Sequence, residues 1–329
     1  MATIQEDLQV FLTEWNHPDP TIEVQTSGST GIPKRMRVRK EQMVNSARLT
    51  CDFLGLKKGD KALLCMPLQY IAGKMMVVRS LVAGLELIPR EPSGHPMADI
   101  DFPLRFAAMI PLQVYNILQV AEERRRLCQT EILLIGGGAI DKELEQQLRQ
   151  LPNQVYSSYG MTETLSHIAL RRLNGPDTSD YYTPFPSVKL SLSPDNTLVI
   201  DAPLVAQAPL ITNDVAELLP DGRFRIIGRK DNIINSGGIK VQTEVIEEQL
   251  RRIIPYDLAI TSIPDPKFGE IIVLLVTSSQ ETAKGFDLGV LPKYQRPKHL
   301  LAVNAIPLTG TGKIDRVACR RLAINLLER

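Results

Sequence analysis

The sequence predicts an α/β protein with a parallel-sheet core, a smaller β-rich stretch after it and a separate α+β domain at the C-terminal end. Three observations carry this. An apolar run, a glycine turn and an amphipathic helix follow one another between Glu131 and Gln150, and a strand resumes at Gln154. Short strands divided by turn residues fill the region after Ser187. A glycine turn, a helix and further strands begin beyond Gly228. A chain of 329 residues has room for one large domain and one small one.

Each element has a local reason. Glu131-Ile132-Leu133-Leu134-Ile135 reads as a strand buried on both faces, and Gly136-Gly137-Gly138 as a tight turn. Asp141 to Gln150 reads as a helix, with Asp141 and Glu143 where acids favour a helix start. Gln154-Val155-Tyr156 completes a β-α-β unit, which implies a parallel sheet with ligands near the carboxyl ends of its strands. Val188–Leu192, Thr197–Ile200 and Arg223–Ile227 read as short strands, with turns at Pro194-Asp195-Asn196 and Pro220-Asp221-Gly222. A small antiparallel barrel or sheet over about 187–228 fits them. The helix from Thr243 to Arg252 and a last helix near the C-terminus belong to the second domain. The expected domains are therefore 1–228 and 229–329, with the boundary at Arg229–Asp231.

Composition narrows the partners. Hydrophobic residues make up 43%, enough for a sizeable core, and the formal charge of +1 gives no bulk case for nucleic acid or an anionic membrane. A small molecule is the expected partner. Cys51, Cys65, Cys128 and Cys319 are scattered without zinc-site spacing, which suits reduced thiols in a cytoplasm. Glu6 and Asp7 near the start do not suit a secretory signal. The most apolar stretch, Ile71 to Ile88, holds Lys74, Arg79 and Glu86, too many charges for a membrane span.

The segment Thr26-Ser27-Gly28-Ser29-Thr30-Gly31-Ile32-Pro33-Lys34 is suited to phosphate. Its glycines allow close backbone approach, its hydroxyls add donors, and Lys34 adds a charge. It is not a Walker loop, since Gly28 and Gly31 are three apart and no Lys-Ser/Thr pair follows. Taken alone, it is also compatible with an ordinary Ser/Gly turn. Tyr159-Gly160-Met161-Thr162-Glu163-Thr164, Thr212-Asn213-Asp214, Gly228-Arg229-Lys230-Asp231 and Pro307-Leu308-Thr309-Gly310-Thr311-Gly312-Lys313 follow it in order.

These five segments resemble the signatures of the acyl- and aryl-CoA synthetases, a superfamily of adenylate-forming enzymes. The resemblance runs from Thr26 almost to the end. It implies the adenylate-forming fold, with a mobile C-terminal domain, and a two-step reaction. A carboxylate attacks the α-phosphorus of ATP and expels pyrophosphate, and a thiol then takes the acyl group and releases AMP. By that resemblance, Thr26, Ser27, Gly28, Ser29, Thr30, Gly31 and Lys34 hold the β- and γ-phosphates. Thr162 meets the α-phosphate, and Glu163 coordinates Mg²⁺. Tyr159, Gly160, Met161, Gly137 and Gly138 line the nucleotide, with Gly136 beside the acyl group. Asp214 takes the ribose hydroxyls, and Arg229 the sugar or phosphates. Lys313 bridges the substrate carboxylate and the α-phosphate. Asp231 is the expected hinge, and Gly237, Gly238 and Lys240 the expected coenzyme A face.

The acid is read from fewer residues. Cys65-Met66-Pro67-Leu68-Gln69-Tyr70-Ile71-Ala72-Gly73 resembles the acyl-pocket segment of these ligases, with Gln69-Tyr70 where they have an aromatic residue and histidine. Lys74 and Arg79 stand in an apolar run, where a second carboxylate of the substrate would meet them; snorkelling to solvent is the alternative. The chain is most similar to the o-succinylbenzoate–CoA ligase branch of menaquinone synthesis, whose substrate is a dicarboxylic aryl acid. Another aryl- or acyl-CoA ligase, an adenylation module that loads a carrier-protein thiol, and a non-catalytic nucleotide-binding regulator remain as alternatives. Only 25 residues precede the phosphate loop, where the family has a longer region. The expectation is a natural minimal form, or a homo-oligomer in which a second subunit covers the sheet.

Overall fold

The computed structural model describes residues 3–25, 35–138, 140, 142–309 and 313–327. Helix α1 (Ile4–Asn16) starts at Thr3, whose hydroxyl accepts from the Glu6 amide while the Glu6 carboxylate accepts from the Thr3 amide. Strands β1 (Thr21–Gln25) and β2 (Arg35–Arg39) form an antiparallel pair with Gln25 opposite Arg35. Next come α2 (Lys40–Leu54), β3 (Lys61–Leu64), α3 (Ile71–Ala83), β4 (Glu86–Pro89) and β5 (Leu104–Met109). They are followed by α4 (Pro111–Gln119), α5 (Ala121–Leu127), β6 (Thr130–Ile135), α6 (Lys142–Leu148) and β7 (Gln154–Gly160). The chain then turns back through β8 (His167–Arg172) and β9 (Thr183–Pro184).

These strands make a seven-stranded sheet in the order β4-β3-β5-β6-β7-β8-β9. The first five are parallel, and β8 and β9 continue it antiparallel. The β6-α6-β7 unit is the one expected from the sequence. Its helix is shorter than the Asp141–Gln150 reading, and Asp141 lies outside the described residues. β5 from Phe106 and β6 from Ile132 onward are apolar and buried, as suits a parallel sheet covered by helices on both faces. Ala107, Met109, Leu133 and Ile135 of these strands pack with Ile117 of α4 and with Leu144 and Leu148 of α6. Such a sheet offers its ligand-binding edge at the carboxyl ends of β3, β5, β6 and β7.

A four-stranded sheet follows, β10 (Lys189–Leu192), β11 (Thr197–Asp201), β12 (Leu210–Leu218) and β13 (Phe224–Arg229), in that order. Strands β14 (Ile233–Ser236) and β15 (Ile239–Gln242) then pair as a hairpin. Helix α7 (Thr243–Leu250), strands β16 (Leu258–Asp265) and β17 (Gly269–Val276), helix α8 (Gln280–Lys284), strand β18 (His299–Ala302) and helix α9 (Arg316–Leu327) complete the described chain. The alternation along β16 and β17 sorts two cores. Leu258, Ile260, Ile272 and Leu274 pack with Ile246 and Leu250 of α7. Ala259, Val273 and Leu275 face the other way, onto Cys319 and Ala323 of α9.

Two compact units result. One holds Met1–Ser191, Val199–Leu210 and Leu218–Arg225, and the other Leu192–Leu198, Ile211–Glu217 and Ile226–Arg329. The division thus passes between Arg225 and Ile226 and assigns two earlier segments to the second unit, rather than following the single sequence boundary after Gly228. Among the described residues, no helix is long and apolar enough to cross a membrane.

Candidate active site

The phosphate-loop expectation falls on 26–34, outside the described residues. Gln25 and Arg35 close the β1–β2 pair, and Gln25 bridges Tyr70 in the segment that leads from β3 into α3. The loop entry therefore lies beside the segment read as the acyl pocket. Gly73 in that segment is required by contact, since a Cβ there would stand 2.4 Å from the Pro67 carbonyl oxygen.

The triple glycine begins where β6 ends. The Gly136 amide donates to the Met109 carbonyl at 3.0 Å, and a Cβ on Gly136 would lie 2.4 Å from Ser158 Oγ. Gly137 has φ +80°, a conformation that favours glycine, and Gly138 follows it at the same strand edge. Tyr159 stands near the end of the neighbouring strand, with its ring 5.1 Å from Phe224 and 5.9 Å from Tyr182. At Gly160 a Cβ would meet the Ser166 carbonyl, so only glycine lets β7 pass β8 there.

The turn from Met161 to Ser166 presents the two residues expected to act on phosphate. Thr162 and Glu163 occupy a single 3₁₀ turn, Thr162 half-buried and Glu163 exposed. Thr164, absent from the sequence-based site, holds the turn. Its hydroxyl accepts from the Met161 amide at 3.0 Å and lies 3.0 and 2.7 Å from the Met161 and Ser166 carbonyl oxygens. Leu165 is buried with φ +67°, which costs a non-glycine residue roughly 1–3 kcal/mol. Packing holds the chain in that strained form, and the strain sits beside the expected Mg²⁺ ligand. Among the described residues, no group of three or more His, Cys, Asp or Glu side chains could hold a metal ion. One exposed carboxylate suits Mg²⁺, which usually keeps several waters and takes its other ligands from substrate phosphates.

Arg79 of α3 is the most unusual charge in this unit. It is 2% exposed, and burial pushes its pKa down to about 10, which leaves it cationic at neutral pH. Its Nη2 donates to Ser166 Oγ at 2.6 Å and its Nη1 faces Met76 Sδ at 3.6 Å, while Nε has no hydrogen-bond partner among the described residues. Ser166 also lies 3.2 Å from His167 Nδ1, and His167 Nε2 lies 2.9 Å from Thr50 Oγ1. Lys74 behaves differently. Its ammonium donates to the Glu23 carbonyl at 2.8 Å, lies 3.8 Å from the Glu14 carboxylate and sits over the Phe11 ring. The structure thus ties Lys74 to α1 and β1, and among the described residues no carboxylate pairs with the buried Arg79.

His167 supplies a stability prediction. Burial first, and the Arg79 charge second, hold its pKa well below the ordinary value. The unfolded chain binds a proton near pH 6.5 and the folded chain does not. Stability is therefore expected to fall as pH drops below about 6.5, by at most about 1.4 kcal/mol per pH unit from this group. Denaturant unfolding of the native protein and His167→Asn between pH 7.5 and 5 tests this. The variant should show the shallower decline; parallel declines would assign the pH dependence elsewhere.

The second unit gathers the other expected residues. Arg229, at the end of β13, donates to Asp214 Oδ1 of β12 at 3.0 Å and to Asp231 Oδ2 at 2.9 Å. Asp231 also accepts from Asn213 at 3.2 Å. Lys313 follows the undescribed 310–312, and its backbone is fixed on both sides. The Thr309 amide donates to its carbonyl at 2.7 Å, its own amide donates to Thr309 Oγ1 at 3.2 Å, and Leu308 bridges Ile314. Asp315 then caps α9 through the Ala318 amide at 2.9 Å. The Lys313 side chain keeps solvent access, yet crowding by protein and the Arg229 charge lower its pKa, against an opposing pull from Asp214.

Gly237 and Gly238 join β14 to β15 as a two-residue turn, with φ +59° and +81°. Positive φ at both centres is the type I′ requirement, so the hairpin itself needs these glycines whatever passes over them. Lys240 is exposed on β15, opposite Asn235.

The AMP-binding enzyme family profile matches residues 8–205. A 2-succinylbenzoate–CoA ligase of Lactococcus lactis is 25% identical over 323 residues, covering 91% of this chain and 71% of that protein. The crystal structure of an acyl-CoA synthetase (AMP-forming)/AMP-acid ligase II-like protein of Dyadobacter fermentans is 33% identical with TM-score 0.67. It matches 95% of this chain and 93% of its own. The o-succinylbenzoate CoA synthetase of Bacillus subtilis, solved with the acyl-adenylate OSB-AMP, is 20% identical with TM-score 0.72 over 90% of this chain and 68% of its own. That likeness is one of fold.

Proposed function

The chain belongs to the AMP-binding enzyme family, and from that premise we propose that it is an AMP-forming acid–CoA ligase acting on o-succinylbenzoate in the cytoplasm. A substrate carboxylate oxygen attacks the α-phosphorus of ATP, the bond to the bridging oxygen breaks, and pyrophosphate leaves. The coenzyme A sulfur then attacks the acyl carbon, its proton passes to solvent, and AMP leaves as the thioester forms. Mg²⁺ supplies charge neutralisation on the phosphates, with Glu163 as its protein ligand. Thr162 takes the α-phosphate, Asp214 and Arg229 the ribose side, and Lys313 the developing charge between carboxylate and phosphorus. Asp231 serves as hinge, and Gly237, Gly238 and Lys240 as the thiol-side face.

The observation that carries the choice of acid is Arg79, a buried cation whose Nε lacks a partner among the described residues and whose Nη2 already holds Ser166. A fatty acid leaves such a cation uncompensated; a second carboxylate neutralises it. Acid-dependent pyrophosphate release, measured over a panel of aromatic, aliphatic and dicarboxylic acids with and without coenzyme A, tests the reading. o-Succinylbenzoate should lead the panel, with thioester formed only when coenzyme A is present. A leading monocarboxylic acid would replace the substrate assignment, and adenylate formation without coenzyme A acylation would point to a carrier-protein thiol. Sedimentation of the same preparation reads whether copies associate.

A further inference from the structure

The residues after Lys313 hold a charged cluster for which the reaction as described has no use. Arg316 is the first residue of α9, three positions beyond Lys313. A cation there opposes the positive end of the helix dipole. It is held by Glu247 of α7, which is 2% exposed. Arg316 Nη1 donates to Glu247 Oε1, and Nη2 donates to Oε2 at 2.9 Å. The Ile260 amide of β16 donates to Glu247 Oε1 at 2.7 Å, and the Ile260 carbonyl accepts from Arg316 at 3.1 Å. The guanidinium and carboxylate are thus locked to each other and to one strand.

The cluster extends toward the expected hinge. Arg316 Nη2 lies 3.9 Å from Glu244 Oε1. Glu244 accepts from Asn232, the neighbour of Asp231, and from Gln242 Nε2 at 2.6 Å. Gln242 donates in turn to the Arg229 carbonyl at 2.8 Å. A continuous polar path therefore runs from the base of the Lys313 segment to Arg229 and the residue beside Asp231. Stability alone gives little reason to keep it, because a buried ion pair is often no more stabilising than apolar residues of similar volume. What the pair adds is a fixed direction, since a bidentate guanidinium–carboxylate contact sets both distance and orientation.

We propose that the Glu247–Arg316 pair is a positioning clamp. It fixes the start of α9, and with it Lys313, relative to the Arg229–Asn232 segment, so that adenylation depends on it and thioester formation does not. The proposal rests on the role given to Lys313. Arg316 is a positioning residue in this account and touches no substrate.

The test uses the full chain with o-succinylbenzoate and ATP for adenylation, and supplied o-succinylbenzoyl-adenylate with coenzyme A for the second step. The double variant Glu247→Leu with Arg316→Met keeps the volume and removes the charges. It should melt near the native temperature, form thioester at the native rate, and adenylate roughly tenfold to a hundredfold more slowly in kcat with the KM for ATP little changed. Arg316→Lys, which keeps one charge and loses the fork, should lie between. Lys313→Ala serves as reference. If it is impaired and the folded double variant adenylates at the native rate, the clamp is overturned and the Lys313 role stands. If Lys313→Ala itself adenylates normally, that role and the clamp fall together. Parallel loss of both steps with melting temperature would make the pair structural and would also overturn the proposal.

Discussion

Lys313→Ala is expected to slow adenylate formation by roughly two to three orders of magnitude, while thioester formation from supplied acyl-adenylate stays near the native rate. The asymmetry follows from where charge develops. In the first step a carboxylate approaches an α-phosphate, and a fixed cation between them offsets repulsion that water would otherwise screen. In the second step a thiol attacks an acyl carbon, and the electron pair of the breaking C–O bond passes to the departing AMP oxygen, so no second anion has to be brought up to the phosphate. Single-turnover measurement of each step separates them, and equal loss of both would remove the role. The lowered Lys313 pKa adds a pH signature. Adenylation should decline on the alkaline side at a pH below the ordinary lysine value of about 10.5, as the ammonium loses its proton. Arg229 lowers that pKa and Asp214 raises it, so Asp214→Asn should move the decline to still lower pH. A decline that stays in place would show that another group sets it.

Local patterns in the sequence carried the β6-α6-β7 unit, because an apolar run, a glycine turn and a helical period are each contiguous. The hairpin at Gly237-Gly238 and the cluster of Asp214, Arg229 and Asp231 rest on equally local signals: adjacent glycines, and motifs within β12 and at the end of its neighbour β13. The pairing of Arg79 with Ser166 spans 87 residues and that of His167 with Thr50 spans 117, so no local pattern announces either. Thr164 stood inside a recognised motif, yet its function is to bind its own turn, which a motif does not display. Arg316 has no local signal at all, because only the fold brings Glu247 and Ile260 to it. The equal treatment of Lys74 and Arg79 had a remedy in the sequence. On a helix with 3.6 residues per turn, positions five apart point about 140° away from each other. Two cations so spaced cannot serve one anion, and the structure sends Lys74 toward Glu14 and Arg79 toward Ser166.

Arg79→Met should lower kcat/KM for o-succinylbenzoate by about two to three orders of magnitude, because it leaves one carboxylate of the substrate buried and unpaired. An acid with a single carboxylate loses no such contact, so its kcat/KM should change far less, and the ratio between the two acids becomes the readout. The burden should fall mainly on KM, since the remote carboxylate is held alike in the ground and transition states. Stability should move the other way. Without substrate, Arg79 is a nearly inaccessible guanidinium that has, among the described residues, no partner for Nε and no carboxylate to offset its desolvation. Methionine removes that cost, so the variant should melt at or above the native temperature when no acid is present. Adding o-succinylbenzoate should then raise the melting temperature of the native protein and leave the variant almost unmoved. If the variant unfolds instead, or discriminates between the two acids as the native protein does, Arg79 is serving Ser166 and His167 alone, and the buried charge belongs to the scaffold. If the two curves cross on addition of the dicarboxylic acid, the cation is held buried at a loss in the free protein because its counter-ion arrives with the substrate.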